Sequence, residues 1–267
     1  MRVFISADIE GTTFTTLWDE TERGKDLYPA AAKQMTAEVK AACEGAIAAG
    51  ADYILVNDAH DEAINIDVRE LPECVEVIRG WSGSPFSMVD GIDESFDAVM
   101  FVGYHSAAGR KNNPLSHTHS TITTEVRLNG MICSEFLLYS LASATKGVPS
   151  VLLTGDRGLI DDTLEQNIHP NLKTVAVKDG LGGATRCLNP ILACKKIRAA
   201  AEEACKQDLT DALCTLPKHF TLELSYKEHR DAVRYSWFPG FRLIDDHTIR
   251  MDTDNYMDVL GCVSYIF

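Results

Sequence analysis

No stretch of this sequence is apolar for long enough to span a membrane, and no basic segment followed by an apolar one opens the chain. Neither a membrane anchor nor a signal peptide is therefore read from it. Basic charge is scarce as well: 25 Lys and Arg stand against 39 Asp and Glu, for a net charge of -14. Nucleic acids and anionic membrane surfaces demand a basic stripe, and without a Lys/Arg cluster both are excluded as partners. Internal repeats and low-complexity tracts are missing too. The eight cysteines, at 43, 74, 133, 187, 194, 205, 214 and 262, include no C-x-x-C pair. Most sit in apolar runs such as Ala42-Cys43 and Ile132-Cys133, so buried, reduced thiols and a cytoplasmic location are expected rather than a disulfide scaffold.

What is present is a chain of 267 residues, 45% hydrophobic, ample for a sizeable core. Val3 to Ala7 reads as a short buried strand. Pro29 opens a helix whose Met35, Val39, Ala42 and Ala46 share one face, and Gly50 stops it. Buried strands follow at Tyr53 to Val56, between Leu71 and Ile78, at Ala98 to Val102, at Ser150 to Leu153 and at Val175 to Val177. Asn129-Gly130, between Thr121 to Leu128 and Met131 to Cys133, is a strong hairpin signal. Asn189-Pro190 has the form of a helix cap followed by a first-turn proline, with the helix running to about Lys206. A strand at Phe220 to Tyr226, a helix, the Pro239-Gly240 turn, a strand around Thr248 to Met251 and a helix from Asn255 make a β-α-β-α tail. The expected fold class is α/β: a Rossmann-like, mainly parallel sheet with flanking helices in residues 1–189, and a smaller C-terminal α+β domain in 190–267. The helix at 190 is a candidate bridge between them.

Chemistry concentrates where strands end. Asp8 and Glu10 are two apart at the end of the first strand; period two puts both on one side, and Gly11 lets the chain turn at once. Two carboxylates held together repel unless a cation lies between them. Taken alone the pair fits an exposed strand end facing water. His60 follows the second buried strand and His105 the strand at 98, so three carboxyl ends converge on the crevice where open α/β sheets bind ligands. Glu135 sits at a helix start, and spacing alone does not decide between a first-turn acid favoured by the helix dipole and a metal ligand. His117 and His119 alternate in a polar loop, so an extended segment turns only one of them to the crevice; a surface role and a proton-transfer role are equally open. Gly180-Leu181-Gly182-Gly183 lacks the P-loop lysine and the Rossmann spacing. Gly155-Asp156 reads as an ordinary turn. Three carboxylates with two imidazoles suit zinc, with manganese or cobalt as substitutes, and a carboxylate can bridge a metal pair.

The ordered set Ser6-Ala7-Asp8-Ile9-Glu10-Gly11, Val56-Asn57-Asp58-Ala59-His60, Phe86-Ser87-Met88-Val89-Asp90-Gly91, Gly103-Tyr104-His105, Ser116-His117-Thr118, Asn129-Gly130 with Glu135, and Thr154-Gly155-Asp156 resembles the D-aminopeptidase DppA family, peptidase family M55, over essentially the whole chain. The resemblance implies a metallo-aminopeptidase with two zinc ions per subunit. By position, Asp8 bridges, Glu10 and His60 complete one metal site, His105 and Glu135 the other, and His117 is the catalytic histidine. It also implies a homo-oligomer of stacked pentameric rings, a decamer, acting on short peptides with a D-residue as one option at the first position. Thr12-Thr13-Phe14-Thr15 and Cys133-Ser134 depart from the family pattern, with a reshaped substrate pocket as the expected consequence. Competing functions are a metallo-amidase or phosphoesterase on the same centre, and a non-catalytic peptide-binding protein linked to peptide uptake.

Overall fold

The structure, a computed structural model, describes residues 1–266. In chain order the first part holds β1 (Arg2–Ala7), α1 (Tyr28–Ala48), β2 (Tyr53–Asp58), β3 (Val75–Ile78) and β4 (Ala98–Tyr104). A hairpin of β5 (Thr123–Leu128) and β6 (Met131–Ile132) precedes α2 (Glu135–Thr145), β7 (Ser150–Asp156), α3 (Arg157–Gln166), β8 (Lys173–Leu181), β9 (Ala184–Cys187) and α4 (Pro190–Lys206). The last part is β10 (Phe220–Tyr226), α5 (His229–Tyr235), β11 (Phe241–Leu243), β12 (Thr248–Thr253) and α6 (Tyr256–Ile266).

Seven strands form one sheet in the order β3-β2-β1-β4-β7-β8-β9, parallel except for β9. Its central strands are buried on both faces, which is why they read as unbroken apolar runs rather than as alternation. On one face Val3, Ile5, Ile54, Val56 and Met100 pack with α1 and α4. On the other, Phe4, Leu55, Phe101 and Leu153 join α2 and, through it, the second sheet and α6. The second sheet has the order β11-β12-β10-β5-β6 and is antiparallel. Its β10 alternates as expected, with Phe220, Leu222, Leu224 and Tyr226 inward. The α/β class, the mainly parallel sheet and the smaller second sheet match expectation.

Local signals account for most elements. Asn129 and Gly130 both adopt positive φ, 51° and 78°, as a tight hairpin turn between right-twisted strands requires. Asn189 caps α4 by accepting from the Ile191 amide at 3.0 Å, with Pro190 in the first turn. That cap is a helix start and not a linker, and the division expected at residue 189/190 does not follow the sheets. Helix α4 lies against α1 and β8 of the main sheet, while the mid-chain β5–β6 hairpin pairs with β10. The chain thus visits the second sheet twice. Helix α3 and strands β9 and β11 have no counterpart in the sequence reading; Gly182 turns the β8–β9 hairpin at φ 64°. Among the described residues no helix is long and apolar enough to cross a membrane, and all eight cysteines are free thiols.

Candidate metal centre

The parallel register sets Ala7 level with both Asp58 and Val102, so β1, β2 and β4 end side by side. The chain passes from β1 to β2 on one side and reaches β4 on the other, which makes the β1/β4 edge the switch point where such sheets open a crevice. Asp8, Glu10, His60 and His105 all arrive there. Strand β1 already ends at Ala7, however, so strand period does not place Glu10. A turn does, held by the Gly11 amide donating to the Gly103 carbonyl at 2.8 Å. A Cβ on Gly11 would lie 1.7 Å from the Tyr104 carbonyl oxygen, so glycine is needed for close approach between the ends of β1 and β4.

Asp8 lies in the middle. Its Oδ1 is 3.4 Å from His60 Nδ1, and its Oδ2 is 3.4 Å from His105 Nε2. Glu10 Oε2 stands 3.1 Å from His60 Nδ1. Glu135 reaches the opposite side, with Oε2 3.3 Å from His105 Nε2. It does so from the first position of α2, whose N-cap Ser134 accepts from the Leu137 amide at 3.1 Å. Glu135 is thus both a first-turn acid and part of the centre. Each imidazole is oriented by its other nitrogen: His60 Nε2 donates to the Thr21 carbonyl at 2.9 Å and His105 Nδ1 to the Ser106 carbonyl at 3.0 Å. Both therefore turn their remaining ring nitrogen, His60 Nδ1 and His105 Nε2, toward the carboxylates, as metal-binding histidines do.

His117 stacks on His105 with ring centroids 4.3 Å apart, and its Nε2 is 3.6 Å from Glu135 Oε1. His117 Nδ1 donates to the Leu115 carbonyl at 2.8 Å. The segment at 117–119 is not extended, because the chain reverses at His119 with φ 58°. Both histidines consequently face the same cavity. The His119 amide donates to Glu135 Oε1 at 2.7 Å, and its ring pairs with the Tyr139 hydroxyl.

Burial and mutual charge distort every titration here. Burial and the Glu10 charge push Asp8 up to about 8. Burial opposes charge on His60 and His105, yet the carboxylates outweigh it: Glu10 and Asp8 hold His60 well above the usual range, and Glu135 and Asp8 lift His105 to about 10. Glu10 and Glu135 end low despite burial, because those imidazoles face them. Burial, reinforced by His105, lowers His117. Even so, Asp8 Oδ2, Glu10 Oε2 and His105 Nε2 are buried without a hydrogen-bond partner. Buried polar atoms left without hydrogen bonds are costly even beside opposite charge, and a divalent cation between these atoms would satisfy all three. Two overlapping groups meet metal-ligand spacing: Asp8, Glu10 and His105, and His105, His117 and Glu135. The donor set fits zinc.

The cavity above the cluster has a volume of about 1000 Å³. Glu22, Asp61 and Asp90 line it beyond the cluster, with Trp18 and Trp81 among its walls and no Lys or Arg among the described lining residues. Thr12, Thr13 and Thr15 are buried away from it, and neither Cys133 nor Ser134 lines it. The two departures from the family pattern therefore do not shape the cavity wall. Asp156, read as a turn, is instead a buried acceptor for the Ser106 amide at 2.7 Å beside His105. Its position at the end of one more buried strand on the same edge was the signal for it.

Fold and site together define a class: a Rossmann-like α/β protein with a buried carboxylate–imidazole cluster of metal-binding type at the sheet's switch point. The model of Peptidase_M55, described as D-aminopeptidase, matches residues 1–265, so the chain belongs to that family and is by class a metallo-aminopeptidase. A D-aminopeptidase of Bacillus subtilis (strain 168) is 28% identical over 245 residues, covering 90% of this chain and 86% of the relative. A solved structure described as the Zn-dependent D-aminopeptidase DppA from Bacillus subtilis, a self-compartmentalizing protease, superposes with a TM-score of 0.91. It is 24% identical, covers 100% of this chain and 96% of its own, and shows the same fold.

Proposed function

We propose that this chain is a zinc-dependent aminopeptidase that hydrolyses the N-terminal peptide bond of short peptides through a two-metal centre, with D-residues accepted at the first position. The observation that carries the reading is the division of Asp8 between two imidazoles, one facing each carboxylate oxygen, with orphaned buried atoms on both sides. Asp8 would bridge, Glu10 and His60 would complete one site, and His105 and Glu135 the other. Bound ions would supply Lewis-acid polarisation of the scissile carbonyl and acidify a water. The protein's own groups do the rest. The carboxylates at the mouth, Glu22, Asp61 and Asp90, draw in a substrate with a free ammonium, and no Lys or Arg among the described lining residues opposes that attraction. His117 keeps its Nδ1 proton on the Leu115 carbonyl, so its neutral Nε2 is free to take a proton and return it to the leaving amine.

The D-aminopeptidase relative and the Zn-dependent neighbour support the zinc and the stereochemistry, and the neighbour's self-compartmentalizing description supports a homo-oligomer, which we place as stacked pentameric rings forming a decamer. The free, mostly buried thiols favour the cytoplasm. Metal analysis of purified protein, combined with D-Ala and L-Ala p-nitroanilides and dipeptides, tests the reading. Two divalent ions per chain and metal-dependent amine release are expected. Fewer than one ion that cannot be reconstituted sinks it, as does turnover of p-nitrophenyl phosphate without any peptidase activity.

A further inference from the structure

Three parts of the centre come from segments distant in sequence: the Asp8-Ile9-Glu10 turn, the end of β4 with His105, and the loop that carries His117. One buried side chain touches the support of all three. Asn113, 4% exposed, donates from Nδ2 to the Glu10 carbonyl at 3.1 Å and to Asp156 Oδ2 at 3.0 Å. Its Oδ1 accepts the Leu115 amide at 2.9 Å. Both amide protons and the amide oxygen are therefore in use, which fixes the orientation of the group.

Each contact leads to a working residue. The Glu10 carbonyl also accepts from the buried Lys178 ammonium, which in turn donates to the Thr15 carbonyl, so the turn presenting the Glu10 carboxylate is clamped from two sides. Asp156 passes the Asn113 contact on to Ser106, accepting its amide at 2.7 Å and its hydroxyl at 2.5 Å. Ser106 in turn offers the carbonyl that orients the His105 ring. Leu115, held by Asn113 Oδ1, offers the carbonyl that fixes the His117 tautomer, and the Asn113 carbonyl accepts Ser116 to close the same loop.

We propose that Asn113 is the positioning residue that locks the Glu10 turn, the His105 ring and the His117 loop into one geometry, so that metal capture and proton transfer depend on a single amide. This rests on the metal-centre reading above. It concerns hydrogen-bond polarity rather than bulk, because an alternative amide-sized filler would not donate to both Glu10 and Asp156. Networks that orient ligands in this way are typically worth a factor of about 10–100 in metal affinity.

Zinc titration of metal-free protein against a chromophoric chelator tests it, with kcat and KM for a D-Ala p-nitroanilide measured alongside. Asn113→Ala is expected to weaken zinc binding by about 10–100-fold and to lower kcat more than it changes KM. Asn113→Asp has the same shape but presents oxygen to Asp156 and to the Glu10 carbonyl, so it should be at least as damaging as Asn113→Ala. The control is Arg110→Ala, which breaks a surface ion pair of the same loop with Asp162 and should leave zinc affinity unchanged. Zinc affinity and kcat within twofold of wild type in Asn113→Ala would overturn the proposal. So would a milder effect for Asn113→Asp, which would mark the residue as packing, or an equal loss in Arg110→Ala, which would mark general loosening of the loop. If neither Asn113 variant folds, Asp156→Asn carries the same titration from the other end of the hydrogen bond. Wild-type protein that takes up no zinc overturns the centre itself, and this inference with it.

Discussion

In the centre proposed above, the half assigned to Asp8, Glu10 and His60 and the half assigned to His105 and Glu135 meet at Asp8 but come from differently built parts of the fold. The first half uses the ends of two neighbouring parallel strands, aligned by the Ala7–Asp58 register, plus one loop carbonyl from Thr21. Its His60 retains some contact with solvent. The second half pairs the end of β4 with the first residue of α2, and α2 is entered from a hairpin that belongs to the other sheet. Both of its members are buried. Neighbouring strands thus deliver one half directly, while the other depends on how two sheets are joined.

Substitutions separate the halves, beginning with the residue they share. Asp8→Asn should abolish metal binding in both and lower kcat/KM by on the order of 10³-fold, about 4 kcal/mol of transition-state stabilisation. Elemental analysis beside steady-state peptidase assays checks this; retention of two ions per chain would refute the bridging role. Next, His117→Ala should lower kcat by roughly 10²–10⁴-fold while leaving metal content unchanged. Loss of an ion instead would make His117 a ligand of the second half, a role its spacing to His105 and Glu135 allows.

Acidity provides the third test. In the metal-free protein the carboxylates keep His60 and His105 protonated at neutral pH, the latter up to about 10. Zinc must displace those protons, so apparent affinity rises with pH, by roughly tenfold per unit for each proton released. Isothermal titration in buffers of different ionisation enthalpy counts the protons. Glu135→Gln removes the main charge that raises His105, and should cut the number released by the second half while sparing the first. The smallest effect on activity is expected from Leu222→Ala in the second sheet. It should cost about 2–5 kcal/mol of stability by chemical denaturation and leave kcat/KM of the folded protein within twofold.

The same contrast explains what could be read in the sequence. Strand ends are local signals, so Asp8, His60 and His105 were visible once the buried runs were assigned to one parallel sheet. Glu10 was found, though by a turn and not by strand period. Glu135 and His117 required the family resemblance, because their approach depends on a hairpin pairing with β10 and on a reversal at His119 with φ 58°, neither of which leaves a spacing pattern. Asn113 has no reading in the sequence, since nothing local tells a buried asparagine from an exposed one. The signal at 190 is limited for a related reason: a helix cap marks where a helix begins, but not which sheet it covers.

Strand β5, the first arm of the hairpin that leads into α2, gains its long partner only when residues 220–226 are in place. A lone two-stranded hairpin is marginal in water. During synthesis, then, the first half has its strands paired early, whereas the platform under Glu135 waits for the carboxyl-terminal fifth of the chain.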